Sequence, residues 1–250
     1  MIIIKSNHEI ELMRTAGAVT GYILKELEGF IKPGMTTADI DKFVEDEIAK
    51  AKMTPTFKGY GGFPAAACVS VNDEIVHGIP SKKRVLHEGD IVSVDTGATY
   101  SGYVSDAART YPVGKISPEA QKLIDVTRQS FFEGIKFAKV GYRLSDIGHA
   151  VQTYAEGYGF SVIRDFVGHG VGAELHEDPQ IPNYGKPGRG PRLAENMVFA
   201  IEPMIAQGGY EIDILSNDWT AVTLDGKLSA HYENTVVIHD GEPELLTLCE

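Results

Sequence analysis

Ile10, Met13, Ile23, Leu24 and Leu27 fall on one side of a helical projection, and Ser6 with Glu9 precede them in capping-box spacing. The pattern predicts a helix that Lys32-Pro33-Gly34 stops. A second helix is predicted from Thr37, where Ile40, Phe43, Val44 and Ile48 recur at helical spacing. The apolar pattern then turns strand-like over Ala67 to Val71, Ile91 to Asp95 and Tyr103 to Tyr111, punctuated by Gly61-Gly62, Gly97 and Gly102. Ser117-Pro118-Glu119 supplies an N-cap with proline at the first helical position, and opens a long helix containing Leu123, Val126, Phe131 and Ile135. Val113 to Ser117 reads as a linker, and the Gly- and Pro-rich stretch Asn183 to Arg192 as a flexible loop.

The pattern repeats. Lys32 to Ile40 aligns with Lys139 to Ile147, and Leu86 to Asp95 with Leu193 to Glu202, both at an offset of 107 residues. One offset serving two separate matches points to an internal duplication, too long for a solenoid repeat. The expected fold class is α+β, with two related helix-plus-antiparallel-sheet halves, approximately 1–116 and 117–250, facing each other about a pseudo-twofold within one domain. Chemistry is expected in the cleft between them.

Composition narrows the function. With 250 residues, 43% hydrophobic and 23% charged, the chain can bury a substantial core, which excludes a disordered or fibrous class. Two cysteines, Cys68 and Cys249, can make neither a disulfide framework nor a four-thiolate zinc site. The apolar run at Met1 to Ile4 is too short for a signal-peptide core and no stretch could span a bilayer, so the expected location is the cytoplasm. A net charge of −12 is opposite to that of a nucleic-acid binder, so no nucleic-acid site is expected. It suits metal ions or cationic amines.

Asp95 and Asp106 flank a turn near Tyr100 to Gly102. Whether that turn is Tyr100-Ser101 or Ser101-Gly102, the period of two places both carboxylates on one face, directly opposed or on a near diagonal. Glu202 follows the apolar run Val198 to Ile201, and Glu233 precedes the β-branched run Thr235 to Ile238. Four acids at the edges of apolar strands are strongly destabilising if buried unpaired, and a metal centre resolves that. His169 sits in Gly168-His169-Gly170-Val171-Gly172, where glycines permit close backbone approach. The spacing matches no phosphate-binding loop. His77 is ambiguous by itself, and His8, His87, His149 and His239 read as surface or cap residues. Four carboxylates and one imidazole suit two divalent ions such as Mn2+, Fe2+ or Co2+ better than a structural zinc. Hydrolysis is the expected chemistry, because two such ions about 3.5 to 4 Å apart generate a nucleophile and clamp a tetrahedral transition state.

At these residues the sequence resembles the type I methionine aminopeptidases, a family with the pseudo-symmetric "pita-bread" fold. The resemblance rests on Val71 to Pro80, Asp95 with Ser105 to Thr110, Gly168 to Gly172, Leu175 to Gln180, Glu202-Pro203 and Glu233 to Thr235, in the family's order. It implies a dinuclear cleft with Asp95, Asp106, His169, Glu202 and Glu233 as ligands to two divalent ions (Co2+, Mn2+, Fe2+ or Zn2+). Asp106 and Glu233 would bridge the ions, Asp95 would chelate one, and His169 with Glu202 would hold the other. The resemblance further makes His176 the stabiliser of the developing oxyanion or the scissile amide, His77 a contact to the peptide beyond the scissile bond, and Glu202 the general base. Tyr60, Phe63, Cys68, Leu175 and Trp219 would line the methionine pocket. The implied activity removes N-terminal methionine from nascent proteins and peptides before a small second residue, by a monomer with a transient ribosome contact.

The chain departs from that family at His231, commonly Gln, and Asn234, commonly His, while Phe57 and Phe63 occupy rim positions that vary. Three other readings compete. Asp95-Thr96-Gly97 suggests an aspartic protease, but no second Asp-Thr/Ser-Gly exists in the chain. Proline-specific aminopeptidases share the catalytic half. A non-catalytic peptide-binding relative would have no use for the clustered acids.

Overall fold

The computed structural model describes residues 1–249. Helix α1 (Asn7–Phe30) begins where expected, with Ser6 and Glu9 forming a reciprocal capping box, and ends where Ile31 turns extended. Its apolar stripe, including Ile23, Leu24 and Leu27, packs with α2 (Thr37–Lys50) onto a sheet. That burial drives the first half together, since a fully buried Leu or Ile contributes roughly 1.5 to 3 kcal/mol. The sheet is centred on β4 (Ile91–Tyr100), five residues longer than the apolar run alone suggested, because β5 (Tyr103–Pro112) pairs along its whole length. Strands β1 (Thr54–Pro55) and β2 (Ala67–Val71) pair with β4, and β3 (Glu74–Val76) leaves for another sheet.

The second half opens with α3 (Pro118–Ile135), capped by Ser117, followed by α4 (Leu144–Gly157). Short strands β6 (Ser161–Val162), β7 (Gly168–Gly170), β8 (Glu177–Ile181), β9 (Val198–Ile201) and β10 (Met204–Ala206) lead to a hairpin of β11 (Ile212–Ile214) and β12 (Ala221–Thr223). The chain closes with β13 (Ser229–His231), β14 (Asn234–Val237) and β15 (Glu244–Leu245). The largest sheet of this half runs β15-β14-β9-β7-β8, while β13-β10-β6 and β11-β12-β3 form two smaller sheets. Because β3 belongs to the first half, the last of these ties the halves together. All paired strands are antiparallel.

The duplication is visible in hydrogen bonds at the same 107-residue offset. Leu86 N–H donates to Met35 C=O (2.7 Å) and Leu193 N–H to Tyr142 C=O (3.0 Å). Thr37 N–H donates to Arg84 C=O (3.0 Å) and Leu144 N–H to Pro191 C=O (3.1 Å). Bridges Thr36–Val85 and Arg143–Arg192 obey the offset too. Gly34 and Gly141 both hold positive φ, 89° and 99°, in the turn that launches the second helix of each half. The helix pair packed on an antiparallel sheet therefore occurs twice. The halves meet where β5 runs beside β14, with Glu233 N–H donating to Ala108 C=O at 3.0 Å.

The stretch 183–192 has no regular structure, as expected, but polar groups of α4 anchor it. Gly185 N–H donates to Gln152 (2.9 Å), Gly188 N–H to Asp146 (2.6 Å) and Arg189 N–H to Ser145 (2.7 Å). Among the described residues no helix is long and apolar enough to cross a membrane.

Candidate metal centre

The hairpin β4–β5 turns at Ser101-Gly102, so Gly97 opposes Asp106 and Asp95 opposes Ala108. The two carboxylates therefore share a face on a near diagonal. Glu202 leaves the end of β9 and Glu233 precedes β14, whose pairing register runs Asn234–Ile201 outward from them. His169 lies on β7 between glycines whose bareness is required. A Cβ at Gly168 would strike Ala200 C=O, and one at Gly170 would strike Asp178 C=O. His169 Nδ1 lies 2.9 Å from Gly170 C=O, while its Nε2 faces Asp106 Oδ2 and Glu202 Oε1, each at 3.5 Å.

All five expected ligands line one cavity of about 220 Å³. Asp106, His169 and Glu233 each offer an atom within 4.8 Å of the other two, and all three are buried. Asp95 Oδ1, Asp106 Oδ1 and Glu233 Oε1 are buried with no hydrogen-bond partner. Burial pushes Asp95 and Glu233 well above the ordinary carboxylate range, reinforced by the neighbouring acids. Burial also pushes Glu202 up, to about 8, against the pull of His169. For His169 burial would lower the pKa, but Asp106 and Glu202 outweigh it and carry the value to about 9. Orphaned, mutually repelling oxygens around one imidazole nitrogen are a donor set for a divalent cation. The residues fit the group.

His176 and His77 face the same cavity. The His176 ring lies 4.2 Å from that of His169, and its Nδ1 is 2.9 Å from Tyr60 Oη. Burial, together with the neighbouring His169, depresses His176 to about 4 and leaves it neutral near pH 7. Burial lowers His77 as well. Its backbone is left-handed (φ 60°), and the next residue must be Gly78 because a Cβ there would meet Val69 C=O. Tyr60, Phe63, Cys68, Leu175 and Trp219 form an apolar wall with Phe57. Phe63 meets Trp219 edge-on at 5.2 Å. Burial holds the Cys68 thiol protonated, so it acts as a small apolar surface.

Sequence reasoning missed Val76, Phe166 and Val167 in that wall. Phe166 stacks edge-on against His77 at 5.3 Å, a contact no periodic pattern announces. It also missed Arg109, which donates to the carbonyls of Ala108 and Glu233 and lies 4.2 Å over the Tyr232 ring. The two departures take different places. Asn234 Oδ1 accepts from Arg109 Nη2 (2.7 Å) and Thr247 Oγ1 (3.0 Å), whereas His231 Nε2 lies 3.7 Å from Glu202 and 3.8 Å from Glu233. Burial, with His77 and Arg109 adding, lowers His231 to about 3, so it stands as a neutral imidazole behind the acids.

Comparison with known proteins agrees with this centre. The description of metallopeptidase family M24 matches residues 11–240. A methionine aminopeptidase of Clostridium acetobutylicum is 60% identical over 250 residues, covering 100% of both chains. The crystal structure of methionine aminopeptidase from Thermotoga maritima superposes with a TM-score of 0.98 at 49% identity, again over 100% of both chains. An X-Pro aminopeptidase from the same organism shares the fold, with a TM-score of 0.77 at 24% identity over 99% of this chain and 62% of its own. The fold is the pita-bread fold of these enzymes, the buried acid and histidine cluster is a divalent-metal site, and the chain belongs to metallopeptidase family M24, among its methionine aminopeptidases.

Proposed function

We propose that this chain hydrolyses the first peptide bond of peptides that begin with methionine, using two divalent ions held by Asp95, Asp106, His169, Glu202 and Glu233. The observation that carries the reading is one cavity in which buried acids and an imidazole adjoin an apolar wall built from Tyr60, Phe63, Cys68, Leu175 and Trp219. The carboxylates of Asp95, Asp106, Glu202 and Glu233 and the imidazole of His169 would together supply the donors that hold the ions. The chemistry that bound divalent ions supply is Lewis-acid polarisation of the carbonyl and acidification of water.

The chain's own groups do the rest. Glu202, whose carboxylate faces the cavity beside His169, would take a proton from the attacking water. His176, neutral and held at Nδ1 by Tyr60, would donate through Nε2 to the carbonyl oxygen as it gains charge. His77 contacts the peptide past the scissile bond, and its closeness to the acids favours a small second residue. An unbranched thioether can thread the apolar pocket and excludes water from it.

The same reading makes 1–250 one peptidase domain, monomeric and cytoplasmic, acting on nascent chains with a transient ribosome contact. Mn2+, Fe2+, Co2+ and Zn2+ all suit the donor set. The deciding experiment compares release from Met-Ala, Met-Gly, Met-Lys, Leu-Ala and Xaa-Pro peptides at identical metal loading. Met-Ala and Met-Gly should be cleaved fastest. A pocket of this kind discriminates against a changed methylene by about 1 to 3 kcal/mol, so Leu-Ala should be slow and not inert. Faster cleavage of non-Met Xaa-Pro bonds would transfer the protein to the proline-specific group.

A further inference from the structure

Beside the cavity, next in sequence to His176, lies a buried ion pair whose members do not line the cavity. Lys5, in the arm that precedes α1, donates from Nζ to Glu177 Oε2 at 2.5 Å, and the two side chains are 2% and 7% exposed. The lysine is tied at both ends. Its backbone N–H donates to Asn196 C=O (3.0 Å), and Nζ also reaches Ile3 C=O (3.5 Å). The other carboxylate oxygen of Glu177 accepts Glu174 N–H at 3.4 Å. Gly172 carries no side chain because a Cβ there would run into Lys5 Cε and Glu177 Oε1. Its C=O accepts Val104 N–H (2.8 Å) from β5, the strand that also carries Asp106. Residues 172–177 thus wrap around the pair, and between its anchors the loop presents Leu175 and His176 to the cavity.

Stability does not explain such a pair. Removing two charges from water costs several kcal/mol per ion, and an apolar pair of similar volume is often as stable or more so. What the pair supplies that apolar packing does not is direction: a charge-assisted bond with a fixed donor and acceptor. We propose that Lys5 and Glu177 are positioning residues for the reaction, holding the 172–177 loop so that His176 meets the scissile carbonyl and Leu175 closes the methionine pocket. This rests on the peptidase reading of the cavity.

The test separates direction from stability. The double variant Lys5→Met with Glu177→Leu is compared with wild type and Lys5→Met for Tm, bound Mn2+ or Co2+ after loading, and kcat and KM on Met-Ala-Ser. Lys5→Met should lower Tm and kcat together, since it leaves Glu177 buried and unpaired. The double variant should recover Tm and bind metal as wild type does, yet keep kcat about tenfold to a hundredfold low, the scale of a misplaced catalytic group. KM should change much less. Gly172→Ala leaves both charges but pushes them apart, and should reproduce the kcat loss with full metal content. It carries the test if the double variant does not fold. Wild-type kcat in the folded double variant or in Gly172→Ala would overturn the proposal. Absence of turnover in wild type loaded with metal would instead strike the peptidase reading.

Discussion

Asp106 and Thr235 exchange two hydrogen bonds across the seam between the halves: Asp106 N–H donates to Thr235 Oγ1 (2.9 Å), and Thr235 Oγ1 donates to Asp106 C=O (2.8 Å). Thr110 and His231 repeat the exchange four residues along, with His231 N–H donating to Thr110 Oγ1 (2.9 Å) and Thr110 Oγ1 to His231 C=O (2.9 Å). Glu233 N–H bonds Ala108 C=O directly between them. β5 is thus joined to the segment running from the end of β13 into β14 by a ladder in which two threonine hydroxyls replace backbone groups. It sets the backbones carrying Asp106 and Glu233 side by side.

Thr235→Val keeps the shape and deletes the hydroxyl. Asp106 N–H and C=O would then be buried without partners, at a cost of about 1 to 3 kcal/mol for each unsatisfied group. The expected outcome is a lower Tm together with faster metal loss to a chelator, read by following both in one preparation. Unchanged metal retention would show that the ladder does not set the spacing of the acids.

Asp106→Asn or Glu233→Gln should abolish turnover through loss of bound metal, because a neutral amide in place of a carboxylate leaves the cation's charge less balanced. Metal content and rate are measured on the same sample. Full occupancy with near-normal turnover would remove that residue from the ligand set.

His176→Ala should keep its metal and lose roughly a hundredfold or more in kcat, the cost of removing one oxyanion donor. Tyr60→Phe, which deletes the hydroxyl 2.9 Å from Nδ1, should lose part of the same factor. If metal falls in step with rate in His176→Ala, His176 is itself a ligand.

The start of α1 should respond to acid. Glu9 is held down to about 2, from an ordinary 4.5, by the hydroxyl of Tyr103 and the backbone and side chain of Ser6. Because the folded value is depressed, its contribution is fully present above the unfolded pKa and is lost as pH falls from about 4.5 to about 2. The Tm gap between wild type and Glu9→Gln should therefore hold steady above pH 5 and close on acidification. A gap that persists at pH 2 would mean packing, not charge, is what Glu9 supplies.

Local geometry was legible in the sequence. The capping box at Ser6 and Glu9 and the N-cap at Ser117 follow from hydrogen bonds within one helical turn. The shared face of Asp95 and Asp106 follows from the period of two, and survives either choice of turn. The 107-residue offset could be read because a repeated fold repeats its turns and caps. Tertiary structure alone decided the rest. Thr235 opposite Asp106, Lys5 against Glu177 and Phe166 against His77 join residues far apart in the chain. No period encodes such contacts, since they depend on how two finished faces meet. A lone threonine hydroxyl or a buried lysine looks ordinary until its partner is beside it.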